Sequence, residues 1–247
     1  MRERHGLTVR ATRVRKVKKV NIERHKLPPD QLRQLITQKW PEAVFSTAGL
    51  SEPIFQTGIA NLDTLFPRQG IPYGQLIEIT GENGSGKTSF LFMILAALTK
   101  IGTVVYIDLS GSFFPAAAAT CGVDIKKLVV VRPDNLPSGL RAAELVLSQR
   151  MAHCIVLDLT NQKSGLSQRS DLSLSSLLHR LRQQTARSKA LVIFLTENNN
   201  ASHPIIPAST VALQLEVVRL MHSQLKVTVT KSRISREGAH VEIALNG

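Results

Sequence analysis

The stretch GENGSGKTSF, residues 81–90, decides the fold because it matches the phosphate-binding pattern G-x-x-x-x-G-K-[ST]. It follows the apolar run QLIEIT (75–80) and precedes a long apolar helical pattern, the strand–loop–helix context that such a loop requires. Glycines let successive backbone N–H groups turn toward phosphate oxygens, and the helix N-terminus adds partial positive charge. The alternative is a coincidental Gly/Ser turn. We predict a nucleotide phosphate site at Gly81, Glu82, Asn83, Gly84, Ser85, Gly86, Lys87, Thr88 and Ser89.

Three polar side chains are predicted to work beside these phosphates. Lys87 would reach the β- and γ-phosphates, and the Thr88 hydroxyl would bind Mg²⁺. The second protein ligand of the metal should be an acid at the end of another buried strand, and Asp158 closes the run CIVLD. The alternative for Asp158 is a core aspartate with an incidental partner. The sequence thus predicts ATP and Mg²⁺ as cofactors.

Apolar runs alternate with helical patterns through the middle of the chain. Continuous apolar runs are typical of strands that are buried on both faces, and the alternation with helices indicates a parallel sheet. We therefore predict an α/β fold with a mostly parallel, twisted sheet and helices on both faces. The predicted strands are 75–80, 103–108, 127–132, 154–158 and 190–196, and the predicted helices are 87–101, 115–121, 139–151 and 171–188.

The hydrophobic period becomes two after residue 208, which indicates half-exposed strands. The segments VALQLEV, LKVTVT and VEIAL are predicted to be antiparallel strands appended to one edge of the sheet. No internal repeat and no separate C-terminal domain is predicted. The predicted organisation is a basic arm (1–26), a helix with a linker (27–56) and a nucleotide-binding core (57–247).

The positive charge is concentrated at the N-terminus. The 247 residues carry a formal charge of +13, and residues 1–26 hold ten Lys or Arg against two Glu. Such an arm is typical of a polyanion partner, most often nucleic acid, although a solvated arm without a partner is the alternative. The predicted DNA contacts in the arm are Arg13, Arg15, Lys16, Lys18 and Lys19.

Membrane and secreted proteins are excluded by the same composition. No apolar run approaches the roughly 20 residues of a membrane helix, and the N-terminus has no apolar signal region. Cys121 and Cys154 have no metal-binding spacing, so we interpret them as two reduced, buried thiols of an intracellular protein. The predicted location is cytoplasmic, and nucleoid-associated in a bacterium.

The segment TGIANLDTLFPRQGIPYGQLIEITGENGSGKTSF, followed by YIDLSGSFFP and CGVDIKKLVVVRPDN, resembles the RecA-type recombinase ATPases. The resemblance covers roughly residues 30–245. It implies a RecA-like fold, ATP·Mg²⁺ binding, self-association and single-stranded DNA as a partner. It also implies DNA contact by the loops 160–171 and 197–208, with Lys163 and Arg169 in the first loop, although solvated connections are the alternative.

The segment TKSRIS (230–235) is similar to a Lys-x-Arg element with which several members of this family reach a neighbouring subunit's γ-phosphate. Lys231 and Arg233 lie two apart on a predicted strand and therefore face the same side. The alternative is a basic edge strand that deters pairing with other sheets.

Three departures from the family concern hydrolysis and base binding. Ser110 stands where the family has the glutamate that positions the attacking water, and no other acid lies nearby in that turn. Ala117 stands at about the place of a tyrosine that stacks on adenine, and Glu197 replaces the usual glutamine. Serine is no general base at neutral pH without an activating partner. Glu197 is the one possible catalytic acid, although its strand end does not suit that role.

The predicted function is therefore ATP binding in DNA repair or recombination, with weak or absent hydrolysis. The size and weakened site are similar to ImuA-like accessory proteins of mutagenic translesion synthesis in the SOS response. A recombinase or polymerase is then a further predicted partner. The alternatives are an active DNA-dependent ATPase that exchanges strands and a RecA-fold regulatory ATPase unconnected to DNA.

Overall fold

The protein's structure, a computed structural model, describes residue 38 and residues 53–160, 171–198, 206–221 and 223–245. The chain divides into two compact units, Met1–Ser51 and Glu52–Gly247. In the first unit, the structure describes Gln38, which is helical and exposed. The basic arm and the DNA contacts predicted in it lie outside the described residues.

The second unit contains ten strands, five α-helices and one 3₁₀ helix (Ile125–Lys127) within its described residues. The strands are β1 (Ile54–Phe55), β2 (Ile71–Pro72), β3 (Leu76–Gly81), β4 (Val104–Asp108), β5 (Leu128–Val131), β6 (Cys154–Asp158), β7 (Leu191–Glu197), β8 (Leu213–Met221), β9 (Gln224–Ser232) and β10 (His240–Ala244). The helices are α1 (Ala60–Asp63), α2 (Lys87–Ile101), α3 (Pro115–Thr120), α4 (Leu136–Ser148) and α5 (Asp171–Ser188).

Eight of these strands form one sheet in the order β10-β9-β8-β3-β7-β6-β4-β5, while β1 and β2 pair separately. The strands β3, β4, β5, β6 and β7 are parallel, as their continuous apolar runs predict. The parallel direction places their carboxyl ends at one edge of the sheet. The phosphate loop and the two predicted acids, Asp158 and Glu197, lie at that edge.

Both faces of the parallel sheet are covered, which confirms the predicted layers. Alternate strand residues enter two separate apolar clusters. Ile77 and Ile79 pack with α2 on one face, while Leu76 belongs to the cluster that includes α4 and α5. Four leucines of α5 at the spacing i, i+3, i+4 and i+7 face this cluster: Leu177, Leu178 and Leu181 are buried, and Leu174 is partly buried.

Helix α4 begins three residues earlier than predicted and ends at Ser148 rather than 151. Asn135 caps it, because its side-chain oxygen accepts the N–H of Ser138 at 2.9 Å. Pro137 lies in the first turn, where its missing N–H leaves no helix hydrogen bond unmade. The cap and the proline together set the start of this helix.

The C-terminal strands follow the predicted period of two, with one correction in direction. Strands β9 and β10 are antiparallel to their neighbours as predicted, but β8 runs parallel to β3 and so extends the parallel part of the sheet. The alternate apolar residues of these segments are buried: Val211, Leu213, Leu215, Val217, Leu225, Val227 and Val229. Strand β8 therefore continues past the end of β3 and runs beside the phosphate loop.

None of the helices within the described residues is both long and apolar enough to cross a membrane.

Candidate nucleotide site

The loop between β3 and α2 has the backbone that the phosphate-binding pattern predicts. Gly84 and Gly86 have φ angles of 78° and 85°, which is the left-handed region that glycine adopts without strain. Gly86 caps the 15-residue helix α2 directly before Lys87. The loop therefore delivers the chain to a helix N-terminus, where backbone N–H groups and the helix dipole favour an anion.

An added Cβ would come closer than van der Waals contact to a neighbouring atom at two positions of the loop. A Cβ on Gly81 would lie 2.5 Å from both the Val217 carbonyl oxygen and the Ser85 hydroxyl. A Cβ on Gly86 would lie 2.6 Å from Leu225. The hairpin of β8 and β9 thus forms the outer wall of the loop.

Ser85 provides the test of whether these residues fit a nucleotide. Its Oγ is buried and has no hydrogen-bond partner among the described residues. A buried hydroxyl is rarely left unpaired in a native protein, and a ligand oxygen is one way to complete it. Together with the glycine backbone and the helix N-terminus, this orphaned hydroxyl fits a bound phosphate.

Lys87 is buried at the base of the loop. Its Nζ donates a hydrogen bond to the Glu82 carbonyl oxygen at 3.1 Å. Burial lowers the pKa of Lys87, while the nearby charges of Glu197 and Asp158 act in the opposite direction. The ammonium group therefore lies close to the two acids that end β6 and β7.

Asp158 ends β6 in a rigid arrangement. Its Oδ2 accepts the Tyr106 hydroxyl at 2.6 Å, and its Oδ1 accepts the backbone N–H and the hydroxyl of Thr160 at 3.0 and 2.6 Å. Burial and the neighbouring Asp158 raise the pKa of Tyr106 far above its ordinary range, so its hydroxyl stays a donor. These three hydrogen bonds therefore hold the carboxylate in one orientation at the edge of the sheet.

Within the described residues, no group of three His, Cys, Asp or Glu side chains could hold a metal ion by itself. Thr88, the other predicted Mg²⁺ ligand, is exposed at the start of α2. Because Mg²⁺ commonly takes one or two protein oxygens and completes its shell with water and phosphate, the predicted pair is compatible with that ion.

Ser110 lies beside an acid, which corrects the expectation that none is near this turn. Its hydroxyl donates to Asp108 Oδ1 at 3.0 Å and is 2.6 Å from the Ser112 hydroxyl. Asp108 is the last residue of β4 and lies opposite Asp158 on β6. The carboxylate also accepts the backbone N–H groups of Ser112 and Phe113 at 3.2 and 3.3 Å.

Arg132 completes the surroundings of Asp108, since its Nε lies 3.1 Å from Oδ2. Burial acts to raise the pKa of Asp108, but the hydrogen bonds from Arg132, Ser110, Phe113 and Ser112 outweigh it and lower the pKa. An acid that is stabilised as its anion by four donors is a weak base. Asp108 therefore holds the turn in shape rather than supplying a free base.

Glu197 lies nearer to the phosphate loop than its strand end suggested. It lies directly opposite Gly81 on the parallel strands β7 and β3. The next residue, Asn198, donates its backbone N–H to the Gly81 carbonyl oxygen at 3.1 Å. This register places Glu197 at the base of the loop, near Lys87.

The predicted Lys231–Arg233 pair contacts a different part of the chain. Lys231 Nζ donates to the Ala208 carbonyl oxygen, and a guanidinium N–H of Arg233 donates to the Ser209 carbonyl oxygen at 2.5 Å. Both side chains thus contact the end of the second predicted DNA loop, at Ala208 and the residue after it. Strand β9 lies between β8 and β10, but its pairing with β10 covers residues 224–228 and Lys231 lies beyond that stretch. Arg233 follows the end of β9 at Ser232. The alternative of a basic edge strand therefore stays a prediction.

The first predicted DNA loop, with Lys163 and Arg169, lies outside the described residues, as does most of the second.

A cavity of about 400 Å³ lies beside α2, next to the phosphate loop. Ser89 and Met93 line one side, while Thr57, Thr120 and Cys121 line the others. None of the described residues that line this cavity is aromatic. Cys121 is half-buried here, which corrects the prediction of two buried thiols, whereas Cys154 is buried.

Sequence reasoning missed two contacts and one buried carboxylate at this site. The Arg219 Nε donates to the Gly84 carbonyl oxygen at 3.1 Å from β8, and Arg132 pairs with Asp108. Glu78 is buried within β3. Asp108 carried a readable signal, since it is an acid at the end of a buried strand. Nothing local to Arg219 or Arg132 distinguishes them from other surface arginines.

The description "RecA N-terminal domain" belongs to the family model that matches residues 49–201, more than half of the chain. The chain belongs to the RecA family. This confirms the resemblance that the sequence motifs indicated.

The chain is also similar to individual members of the family. It is 31% identical to Protein RecA of Caldanaerobacter subterraneus subsp. tengcongensis over 166 residues, which cover 61% of this chain and 48% of that protein. It is 32% identical to Protein RecA of Roseiflexus sp. strain RS-1 over 163 residues, covering 60% and 45%. The chain thus spans about half the length of the curated relatives it matches.

The fold is similar to the crystal structure of the RadB recombinase, with a TM-score of 0.63 at 18% identity. The match covers 77% of this chain and 95% of that chain. The fold class predicted from the sequence, a RecA-like sheet with helices on both faces, is confirmed.

Proposed function

We propose that this RecA-family protein binds ATP·Mg²⁺ and assists DNA repair or recombination, with weak or absent hydrolysis of the nucleotide. The observation that carries the proposal is a phosphate-binding loop at residues 81–88 that matches its pattern in full. Beside it, the turn after β4 contains Ser110 and the hydrogen-bonded carboxylate of Asp108. The glycine backbone and the buried Ser85 hydroxyl fit phosphate. The residues at the positions expected to activate water, Ser110 and Glu197, are the ones that differ from the family pattern.

Binding would be divided between the loop, the helix and the strand ends. The backbone of residues 81–88 would surround the phosphates, and Lys87 would leave the Glu82 carbonyl to contact them. Thr88 and Asp158 would hold Mg²⁺, with Asp158 oriented by Tyr106 and Thr160. When bound, the metal supplies positive charge that offsets the charge of the phosphate oxygens.

Hydrolysis also needs a positioned base, which is typically worth about 10² to 10⁴ in rate. The Ser110 hydroxyl is engaged with Asp108 and Ser112. Asp108 accepts four hydrogen bonds, one of them from an arginine, which keeps it a weak base. Neither residue supplies what a water-activating glutamate would.

Bound nucleotide would then act as a ligand that favours one conformational or assembled state, through its differential affinity for that state. The proposed partners are single-stranded DNA, a second copy of this chain, and a recombinase or polymerase. The basic residues of the arm support DNA contact through phosphate neutralisation. An accessory role in translesion synthesis within the bacterial SOS response, in the cytoplasm or at the nucleoid, is the narrower form of this proposal.

The test combines equilibrium binding of ATP·Mg²⁺ with an ATPase assay, with and without single-stranded DNA. We expect saturable ATP binding, DNA binding and little turnover. Absence of ATP binding contradicts the proposal.

One observation favours a second candidate function, a DNA-dependent ATPase that exchanges strands. Glu197 lies opposite Gly81, and its charge acts on Lys87. An acid at that place would serve as the base if it reached the attacking water. DNA-stimulated turnover that is lost in Glu197→Gln identifies this function.

A further inference from the structure

Glu78 is a buried carboxylate in the middle of the sheet, on the strand that leads into the phosphate loop. Its side chain is almost fully buried, at 5% exposure. Burial raises the pKa of Glu78, while hydrogen bonds from Thr196 and Gln214 and the charge of Lys231 act against that rise. None of the nucleotide contacts proposed above uses this group.

The two oxygens of Glu78 bind to two different neighbouring strands. Thr196 on β7 donates its hydroxyl to Oε1 at 2.8 Å, and Gln214 on β8 donates its side-chain amide to Oε2 at 2.9 Å. Gln214 in turn accepts the Thr230 hydroxyl from β9 at 3.0 Å. One carboxylate therefore joins three strands directly and a fourth through an amide.

The register shows what this link controls. Glu78 lies opposite Gln214, while Thr196 lies opposite Thr80 and is followed by Glu197, which lies opposite Gly81. The link to β7 is thus made one residue before Glu197 and at the base of the loop. A shift of β7 along β3 would move Glu197 relative to Lys87 and would have to break this hydrogen bond.

A buried charge is a poor choice for stability alone. Replacing buried polar or ionic groups with well-packed apolar side chains is often neutral or stabilising. An apolar side chain, however, tolerates small shifts between strands, whereas a carboxylate with one donor on each side specifies a single relative position. The network is therefore better explained by position than by stability.

We infer that Glu78 is a positioning residue that holds the strand of Glu197 in place against the phosphate loop and thereby sets the preference for ATP over ADP. The inference rests on the proposed nucleotide site. The loop and helix N-terminus contact phosphates that both nucleotides share, whereas Lys87 is the group expected to reach the γ-phosphate. Glu197 lies opposite Gly81 and is followed by Asn198, whose N–H binds the Gly81 carbonyl oxygen, so its position affects the loop from which Lys87 extends.

The test measures equilibrium affinities for ATP·Mg²⁺ and ADP·Mg²⁺ in the full-length chain. Glu78→Gln keeps the acceptor for Thr196 but places an amide against the Gln214 amide. Thr196→Val removes only the β7 link. Adding Gln214→Glu to Glu78→Gln restores an acceptor opposite a donor. Thr80→Val, a buried threonine of the same strand outside this network, is the matched control.

We expect the ratio of ATP to ADP affinity to fall about threefold to tenfold in Glu78→Gln and in Thr196→Val, the loss that one hydrogen bond predicts. ADP affinity should stay within about twofold of wild type, the double variant should recover the ratio, and Thr80→Val should keep it. General destabilisation of the fold would weaken the binding of both nucleotides to the same extent. Thermal unfolding measures that destabilisation separately.

An unchanged ratio in both Glu78→Gln and Thr196→Val overturns the inference. If Glu78→Gln does not fold, Thr196→Val and the double variant decide the outcome by the same ratio. A wild type that binds neither nucleotide contradicts the proposed function itself, and the inference with it, so the two failures are distinguishable.

Discussion

The hydroxyl of Ser110 donates a hydrogen bond to Oδ1 of Asp108 at 3.0 Å, at the point where β4 enters its following turn. This contact joins Ser110, the residue predicted to stand at the position of the family's glutamate, to a carboxylate that accepts three other donors. Both side chains are therefore engaged in shaping the turn. The proposed loss of hydrolysis and the stability of this turn have the same structural origin.

Asp108→Asn should destabilise the fold at pH 7 by about 1–3 kcal/mol, because donors that now bind a buried anion would be left unsatisfied. The pKa of Asp108 is lowered in the fold, so its stabilisation is present above the unfolded pKa of about 3.9 and is lost as the pH falls through the folded pKa. The difference between variant and wild type should therefore shrink below about pH 4. Denaturant unfolding at several pH values measures this.

The control for that series is Asp124→Asn. Asp124 is an exposed aspartate whose side chain accepts only a local backbone N–H from Lys126. Asparagine caps nearly as well as aspartate, so the change should stay within about 0.5 kcal/mol. A variant at position 108 that is as stable as this control at pH 7 would mean that the network around Asp108 contributes nothing.

Gly86→Ala should weaken ATP binding by about tenfold, because its backbone is left-handed and the new Cβ would meet Leu225 and the Arg219 guanidinium. Gly238→Ala is the matched control, since Gly238 has a similar φ of 80° but a Cβ added there would meet no atom within 4 Å. Both variants should unfold at lower temperature than wild type. Only Gly86→Ala should lose nucleotide affinity, and equal ATP affinity in the two variants would contradict the tight fit of the loop.

Much of the parallel sheet was predictable because the sequence patterns that specify its strands lie within the strands themselves. Continuous apolar runs marked β3, β6 and β7, and the loop at residues 81–88 has a pattern that specifies its own backbone. The direction of β8 was not predictable in this way. A period of two identifies the buried face of a strand but not the neighbour with which it pairs.

The site residues likewise fall into two groups, those marked by local patterns and those whose contacts join distant parts of the chain. Lys87, Thr88 and Asp158 follow local patterns at strand ends or in the loop. The contacts of Arg219 with Gly84 and of Glu78 with Gln214 join residues 135 and 136 positions apart. Both depend on the register between β3 and β8, which no short pattern encodes.

Deleting residues 1–26 should weaken DNA binding and flatten its salt dependence. Ten Lys or Arg and two Glu lie in that segment, and each phosphate neutralised adds about 0.7 to 0.9 to the slope of log affinity against log salt. Titrations of single-stranded DNA at several salt concentrations measure the slope. A truncated chain with the wild-type slope and affinity would show that the arm is not a DNA element.

Ser110→Glu should raise ATP turnover tenfold or more, since a positioned general base is typically worth about 10² to 10⁴. Ser110→Ala is the matched control, because it removes the hydroxyl without adding a carboxylate, and it should leave turnover unchanged. Glu197→Gln should change little. Steady-state ATPase assays on the three variants test this, and turnover that falls in Glu197→Gln would assign the catalytic role to Glu197.

The most direct test of the central claim is the turnover number of the wild-type chain on saturating ATP·Mg²⁺, with and without single-stranded DNA. Lys87→Ala serves as the control that should lose ATP binding, since it lacks the ammonium that contacts the loop and the predicted phosphates. We predict saturable ATP binding by wild type, turnover well below about one per second, and little stimulation by DNA. DNA-stimulated turnover near one per second, absent in Lys87→Ala, would contradict the account.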